Sequence, residues 1–291
     1  MQISCLSSVQ CKKGKGPLWD VEQQSFYWVD SSDNKVFRYH LESNEISHWE
    51  VPKMVGSIVL KADGNSALVA LEDGVYILDL STGVCSPNPL KPELHQKNQL
   101  TEGKVDSKGR FIVGSRDQAL SDPNGKLYLY ENGSEKLTVI DDDLIHANGP
   151  CWSNDHKTFY LSDSIRCKTY AYDYNMVNGE VSNRREFAST ECLNGVPCGA
   201  TVDAEDHVWS AVCHSQSLVR YRPDGSISLI LRIPTKFPAS VTFGGFKLNQ
   251  IFVTSLNPYI GNSINSGDGR TYVIDGIGIK GVPEFRFACA S

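Results

Sequence analysis

Along most of the chain one hydrophobic and polar pattern repeats. A small residue is followed by a short apolar run, then a polar turn that often carries Asp, then a strand in which aromatic or β-branched residues alternate with others. Copies begin at Gly16 ("GPLWDVEQQSFYWVDSSDNKVFRYH"), Gly56 ("GSIVLKADGNSALVALEDGVYILDL"), Gly103 ("GKVDSKGRFIVGSRDQALSDPNGKLYLYE") and Gly149 ("GPCWSNDHKTFYLSDSIRCKTYAYDY"). They continue at Gly199 ("GATVDAEDHVWSAVCHSQSLVRYRPDG") and Ala239 ("ASVTFGGFKLNQIFVTS", with "GRTYVIDG" from Gly269). Period-2 alternation in "FYWVD", "ALVAL", "LYLYE" and "TYAYDY" predicts antiparallel strands, and helical periodicity is nearly absent. Spacings of 40, 47, 46, 50 and 40 residues between the copies match the length of a four-stranded propeller blade. The expectation is an all-β, six-bladed β-propeller around a central channel, one domain over residues 1–291. The C-terminal "RTYVIDGIGIKGVPEFRFA" is expected to complete the blade begun by the N-terminal "ISCLSSVQ", leaving no open sheet edge. The turns "DGN", "PDG" and "DPNG" are read as structural, with Gly and Asn supplying positive φ.

The register also points to a site. In a propeller the innermost strand of each blade lines the channel, so equivalent residues of different blades reach the same end of it. Immediately before the repeat starts stand Lys15, Val55, Glu102, Asn148, Cys198 and Pro238. A lysine, a carboxylate, an amide and a thiol are thereby expected to converge on one pocket, set at a channel mouth on a rigid scaffold. His146 lies two residues before Asn148, so in extended chain both point the same way.

Composition narrows the function class. A net charge of −6, with Lys12, Lys13 and Lys15 as the one basic cluster, excludes a nucleic-acid footprint, and such a cluster is ordinarily a solvated loop. No apolar run has the length of a membrane span or a leader, and the nine cysteines are irregularly spaced with no C-x-x-C pair. The expectation is a cytoplasmic protein with reduced thiols, most of them small core hydrophobes, whose partner is a small molecule. No G-x-S-x-G elbow or phosphate-cradling loop is present. His214 in "AVCHSQS" is either a pocket-rim residue or a solvated loop histidine. Arg116 and Asp117 are either a substrate-contacting pair or an exposed ion pair.

Several segments in fixed order carry a resemblance to the regucalcin, gluconolactonase and luciferin-regenerating enzyme family, which includes senescence marker protein. They are "GPLWD…FYWVD", "EGKVDSKGRFIVGS", "ANGPCWSNDHKTFYLSDS" and the closing "VTFGG…IFVTS…GIGIKG". The resemblance implies a propeller holding one divalent cation through a Glu, an Asn and an Asp, the metal polarising a lactone carbonyl and activating water. Matched position by position, the Glu falls on Lys15, the Asn on Asn148 and the Asp on Cys198. The family's substrate-contacting Asn falls on Thr101, its acidic neighbour on Glu102, and the Arg two residues earlier on Gln99.

An ammonium offers donors and no lone pair, so a hard metal is disfavoured and no cofactor is expected. A softer ion such as zinc, held by Cys198, Asn148 and His146, is the minority outcome. The leading expectation is a small-molecule enzyme acting on a lactone, ester or related cyclic oxygenated compound at a remodelled, metal-free centre. Lys15, Glu102, Cys198 and His146 are its catalytic candidates, and Asn148, Thr101, Gln99 and Arg116 its substrate-binding ones. Two alternatives stay open: a non-hydrolytic isomerase, cyclase or lyase using Lys15 and an acid/base residue, and an inactive protein that binds a ligand or another protein.

Overall fold

Six four-stranded antiparallel sheets stand in a ring, the arrangement of a six-bladed β-propeller. The computed structural model describes residues 1–88, 92, 94–134, 136–258 and 267–288. The innermost strands of the first to sixth blades are Gly14–Asp20, Val55–Leu60, Asn98–Val105, Ala147–Trp152, Val196–Val202 and Pro238–Gly244. Each contains one start of the sequence repeat. Among the described residues the one helical element is a 3-10 turn, Glu191–Leu193.

The alternating strands work because each blade is covered on both faces by its neighbours, so both sets of side chains need apolar residues. Tyr27, Val29 and Val36 of the first blade pack with Ile58, Val69 and Leu78 of the second. At the seam between first and sixth blades the covering is aromatic. Phe252 stacks on Phe26 and Trp19 at centroid distances of 4.7 and 5.3 Å. Aspartates end the strands at both rims. Asp30 and Asp163 close second strands and accept the backbone N–H groups of Lys12 and Lys13, and of Ile145 and His146, holding the chain as it enters the inner strand. At the opposite rim Asp106 pairs with buried Arg110 at 2.7 Å, and Asp203 with Arg220 at 2.7 Å.

The ring closes as expected at first: Gln2–Gln10 is the outer strand of the sixth blade, paired with Arg270–Asp275. The rest of the C-terminal stretch does not extend that blade. Gly276 and Gly278 adopt φ of +73° and +79°, and the chain leaves the sheet to run across the far face of the ring. There Ala204 N–H bonds to Lys280 O at 2.8 Å, Arg286 pairs with Asp20, and Phe287 exchanges backbone bonds with Leu60 and Ala62. The segment therefore straps several blades together instead of finishing one.

Two smaller expectations also change. Gly64 and Gly225 supply positive φ in "DGN" and "PDG", but neither Asn124 nor Gly125 does so in "DPNG". Gly125 is needed there for space, since a Cβ would meet Leu144 O at 2.6 Å. The eight cysteines in the described residues are free, yet only Cys11, Cys151 and Cys213 are buried. The others sit on turns, outer strands or the channel, where burial is incomplete. Cys289 lies outside the described residues. No helix among the described residues is long and apolar enough to cross a membrane.

Candidate functional site

Every innermost strand breaks register with its neighbour at the repeat start: between Lys15 and Leu18, Val55 and Ser57, Leu100 and Gly103, Asn148 and Cys151, Pro197 and Ala200, and Pro238 and Ser240. Such bulges re-aim side chains and free backbone N–H groups from the ladder. Gly16 and Gly149 take φ of +53° and +61° within them. Glu102 uses the freed groups. Its Oε1 accepts from Gly16 N–H at 3.3 Å and its Oε2 from Gly149 N–H at 3.0 Å, so one carboxyl ties the bulges of the first, third and fourth blades together. Small residues make the approach possible, because a Cβ on Gly199 would meet Glu102 Oε1 at 2.8 Å and collide with Ser240.

Above Glu102 a cavity of about 160 Å3 opens, walled by Lys15, Gln99, Thr101, Arg116 and His146, with Lys13 and Met54 among its other neighbours. Five of the eight sequence candidates thus line one space. The remaining three, Glu102, Asn148 and Cys198, lie beneath or beside it. Glu102 and Asn148 are only 5% and 3% exposed. Asn148 Nδ2 donates to Ser164 Oγ at 2.8 Å and stands 3.2 Å from His146 Nε2, so the two residues do point the same way. Ser164 in turn donates to Pro197 O at 2.6 Å, locking the fourth blade to the fifth beside Cys198. Thr101 Oγ1 donates to Ala147 O at 2.7 Å, a pin between the third and fourth blades.

Arg116 is neither solvated nor paired with Asp117. It faces Gln99 across the ladder, and the Gln99 amide oxygen, turned towards it, accepts from Arg116 Nε and Nη2 at 2.8 Å each. Asp117 accepts instead from the backbone N–H groups of Ser121 and Asp122. His214 is held by an edge contact to Phe237, centroids 5.2 Å apart, and is not on the cavity wall. Lys13, assigned from sequence to a solvated loop, stands at the rim of the cavity. Its signal was proximity to Lys15 in a basic cluster, which alone does not separate a rim from a loop.

The electrostatics follow from crowding. Burial pulls the Lys15 ammonium below the ordinary lysine range; Arg116 and Lys13 push the same way, while Cys198 and Glu102 oppose. Burial, then Lys15 and Arg116, hold His146 well below the usual histidine value, so its imidazole is neutral near pH 7. A hydrogen bond from the Cys213 thiol, helped by Lys15, lowers Cys198 against burial and Glu102, while Cys213 itself is driven up. The result is a lysine of lowered pKa near an activatable thiol and a neutral imidazole.

The positions that the resemblance matches to a metal carry an ammonium, an amide and a thiol, a donor set that does not fit a hard divalent cation. Among the described residues no group of three or more His, Cys, Asp or Glu is placed to hold a metal ion.

A larger cavity, about 430 Å3, opens at the other end of the inner strands, between Trp152, Thr201 and the C-terminal strap. Its charged groups, Lys104 and Glu284, neutralise each other at 2.6 Å, and its thiol, Cys151, is pushed up to about 12 by burial. Size favours that cavity, but chemistry favours the smaller one, whose wall carries Lys13, Lys15 and Arg116 with a lowered thiol, Cys198, nearby.

Comparison with known proteins agrees with the ring and its length. Regucalcin of Xenopus laevis is 30% identical over 299 residues and regucalcin of Gallus gallus 28% over 306, each alignment covering 99% of both chains. The solved structure of a luciferin-regenerating enzyme superposes with a TM-score of 0.91 at 27% identity, again covering 99% of both. The description "SMP-30/Gluconolactonase/LRE-like region" matches residues 13–257. With most of its length matched in this way, the chain belongs to the SMP-30/gluconolactonase/LRE-like family.

Proposed function

We propose that the channel-mouth cavity is the active centre of a small-molecule enzyme of lactonase-like chemistry, acting on a lactone, ester or related cyclic oxygenated compound without a metal. The observation that carries this reading is Lys15. Its ammonium sits at the mouth, lowered by burial and by the neighbouring cations Arg116 and Lys13, with Cys198, Glu102 and His146 close by. A carbonyl placed against it gains a donor aimed at the oxygen on which negative charge develops, in surroundings poorer in water than bulk solvent. Neutral His146 can accept a proton from an attacking water, and its position 3.2 Å from Asn148 fixes the ring. Glu102, with both oxygens accepting backbone N–H groups, supports the site from below.

The same neutral imidazole favours a second reading. A base beside an ammonium also suits proton abstraction next to a carbonyl, with Lys15 holding the enolate, as isomerisation or elimination requires. Turnover of a panel of lactones, esters and hydroxy-ketones, measured with and without chelator, separates the two. Hydrolysis that survives chelator and falls about 10²–10³-fold in Lys15→Met is expected for the first reading. Hydrolysis abolished by chelator and restored by one divalent cation overturns the metal-free centre.

A further inference from the structure

We propose that the ligand of the channel-mouth cavity is a small anion, a compound whose carboxylate or phosphate group is held by Lys13 and Arg116; as a statement about substrate it rests on the active-centre reading above. Lys13, Lys15 and Arg116 stand around one cavity of about 160 Å3, and among the described residues no carboxylate side chain is on its wall. In a chain with 28 basic and 34 acidic residues this is a local inversion of charge. Several cations elsewhere are matched: Lys12 with Asp33 at 2.5 Å, Lys104 with Glu284 at 2.6 Å, Arg110 with Asp106 at 2.7 Å.

The carboxylates near the mouth are committed to backbone. Asp30 serves Lys12 and Lys13 N–H, Asp163 serves Ile145 and His146 N–H, Asp117 serves Ser121 and Asp122 N–H, and Glu102 serves Gly16 and Gly149 N–H. Arg116 is already oriented, since Gln99 takes its Nε and Nη2 and leaves the Nη1 donors for a ligand. A planar guanidinium fixed in this way suits the oxygens of a carboxylate or phosphate. Burial first, and then repulsion among the cations, depresses Lys15 and His146 in the same cavity, and a bound anion relieves the repulsive part. A cavity of about 160 Å3 suits a compact metabolite better than a peptide or a nucleotide.

Calorimetric titration of the whole protein with glycerol 3-phosphate, glycerate and glycerol, the three compared at matched ionic strength and the series repeated at increasing KCl, tests this with one carbon skeleton. One or both anions are expected to bind one per chain, with affinity falling as KCl rises, and glycerol not to bind. Whichever anion binds more tightly names the phosphate or the carboxylate source. Arg116→Gln and Lys13→Gln are each expected to weaken binding about tenfold or more, since each removes a charged hydrogen bond. Lys12→Gln, whose ion pair lies outside the cavity, should not change it. Lys13 is exposed, so its variant tests the idea even if Arg116→Gln fails to fold. Equal binding of glycerol, no binding of either anion, or affinity unchanged within twofold in Lys13→Gln overturns the proposal. Anion binding without turnover leaves this inference standing and removes the enzyme reading; turnover of neutral lactones indifferent to Arg116 does the reverse.

Discussion

Replacing Glu102 by alanine tests whether the channel is held together from its centre. The carboxyl is 5% exposed and accepts Gly16 N–H at 3.3 Å and Gly149 N–H at 3.0 Å, two groups on different blades freed from their ladders by bulges. Truncation leaves both buried donors unmade at roughly 1–3 kcal/mol each. A water entering the space recovers part of this, because the site is polar. The expected loss is about 3 kcal/mol. At ~2–4 °C per kcal/mol for a chain of this size class, the melting temperature should fall by about 6–12 °C, read by circular dichroism at a fixed scan rate. Glu102→Gln keeps one acceptor oxygen and should lose about half as much. Exposed Glu131→Ala, the control, should stay within ~0.5 kcal/mol of the parent. A melting temperature for Glu102→Ala within 2 °C of the parent, a threshold below even ~1 kcal/mol, would refute the clasp and return Glu102 to a purely chemical role.

Lys15→Met is expected to stabilise the fold by ~0.5–2 kcal/mol while removing turnover, because the folded state carries a desolvated ammonium. The folded pKa lies below the unfolded value, so this group's contribution to stability rises with pH between the two; the variant should flatten that rise in a chemical-denaturation series, and a destabilised Lys15→Met contradicts the assignment. His146 is also depressed, so the stability it contributes is present above pH ~6.5 and lost as pH falls towards its folded value. Its ring proton signal should not move between pH 8 and ~6.5, and an ordinary titration curve would show that the ring is solvated. Protein purified without added metal should contain calcium, zinc, manganese and iron well below one per chain by elemental analysis. Lys15→Glu with Cys198→Asp should create a site whose occupation raises the melting temperature and whose effect a chelator removes. One tightly held metal per unmodified chain would reverse that conclusion.

Alternation of apolar residues and its recurrence every 40 to 50 positions determined the six blades, because strand faces are set by neighbours two residues apart and blades by neighbours in sequence. The repeat register pointed to Lys15, Glu102, Asn148 and Cys198, and of these Lys15 lines the cavity while Glu102, Asn148 and Cys198 lie beneath or beside it; Gln99, Thr101, Arg116 and His146, which share the wall with Lys15, stand at other strand positions. Tertiary structure alone decided the rest. Whether Glu102 faces a substrate or a pair of backbone amides depends on bulges in three separate blades, and no local pattern encodes where a ladder slips. Arg116 and Asp117 read from sequence as either a substrate-contacting pair or an exposed ion pair, and it is the ladder that sets Arg116 against Gln99 and turns Asp117 to a loop. The C-terminal segment reads as strand yet crosses the far face, because its partners Asp20, Leu60 and Ala204 are close only once the ring has formed. Charge at the mouth is likewise a sum over blades: Lys13 and Arg116 look ordinary in their own segments, and their convergence with Lys15 on one cavity is what makes that cavity a candidate site.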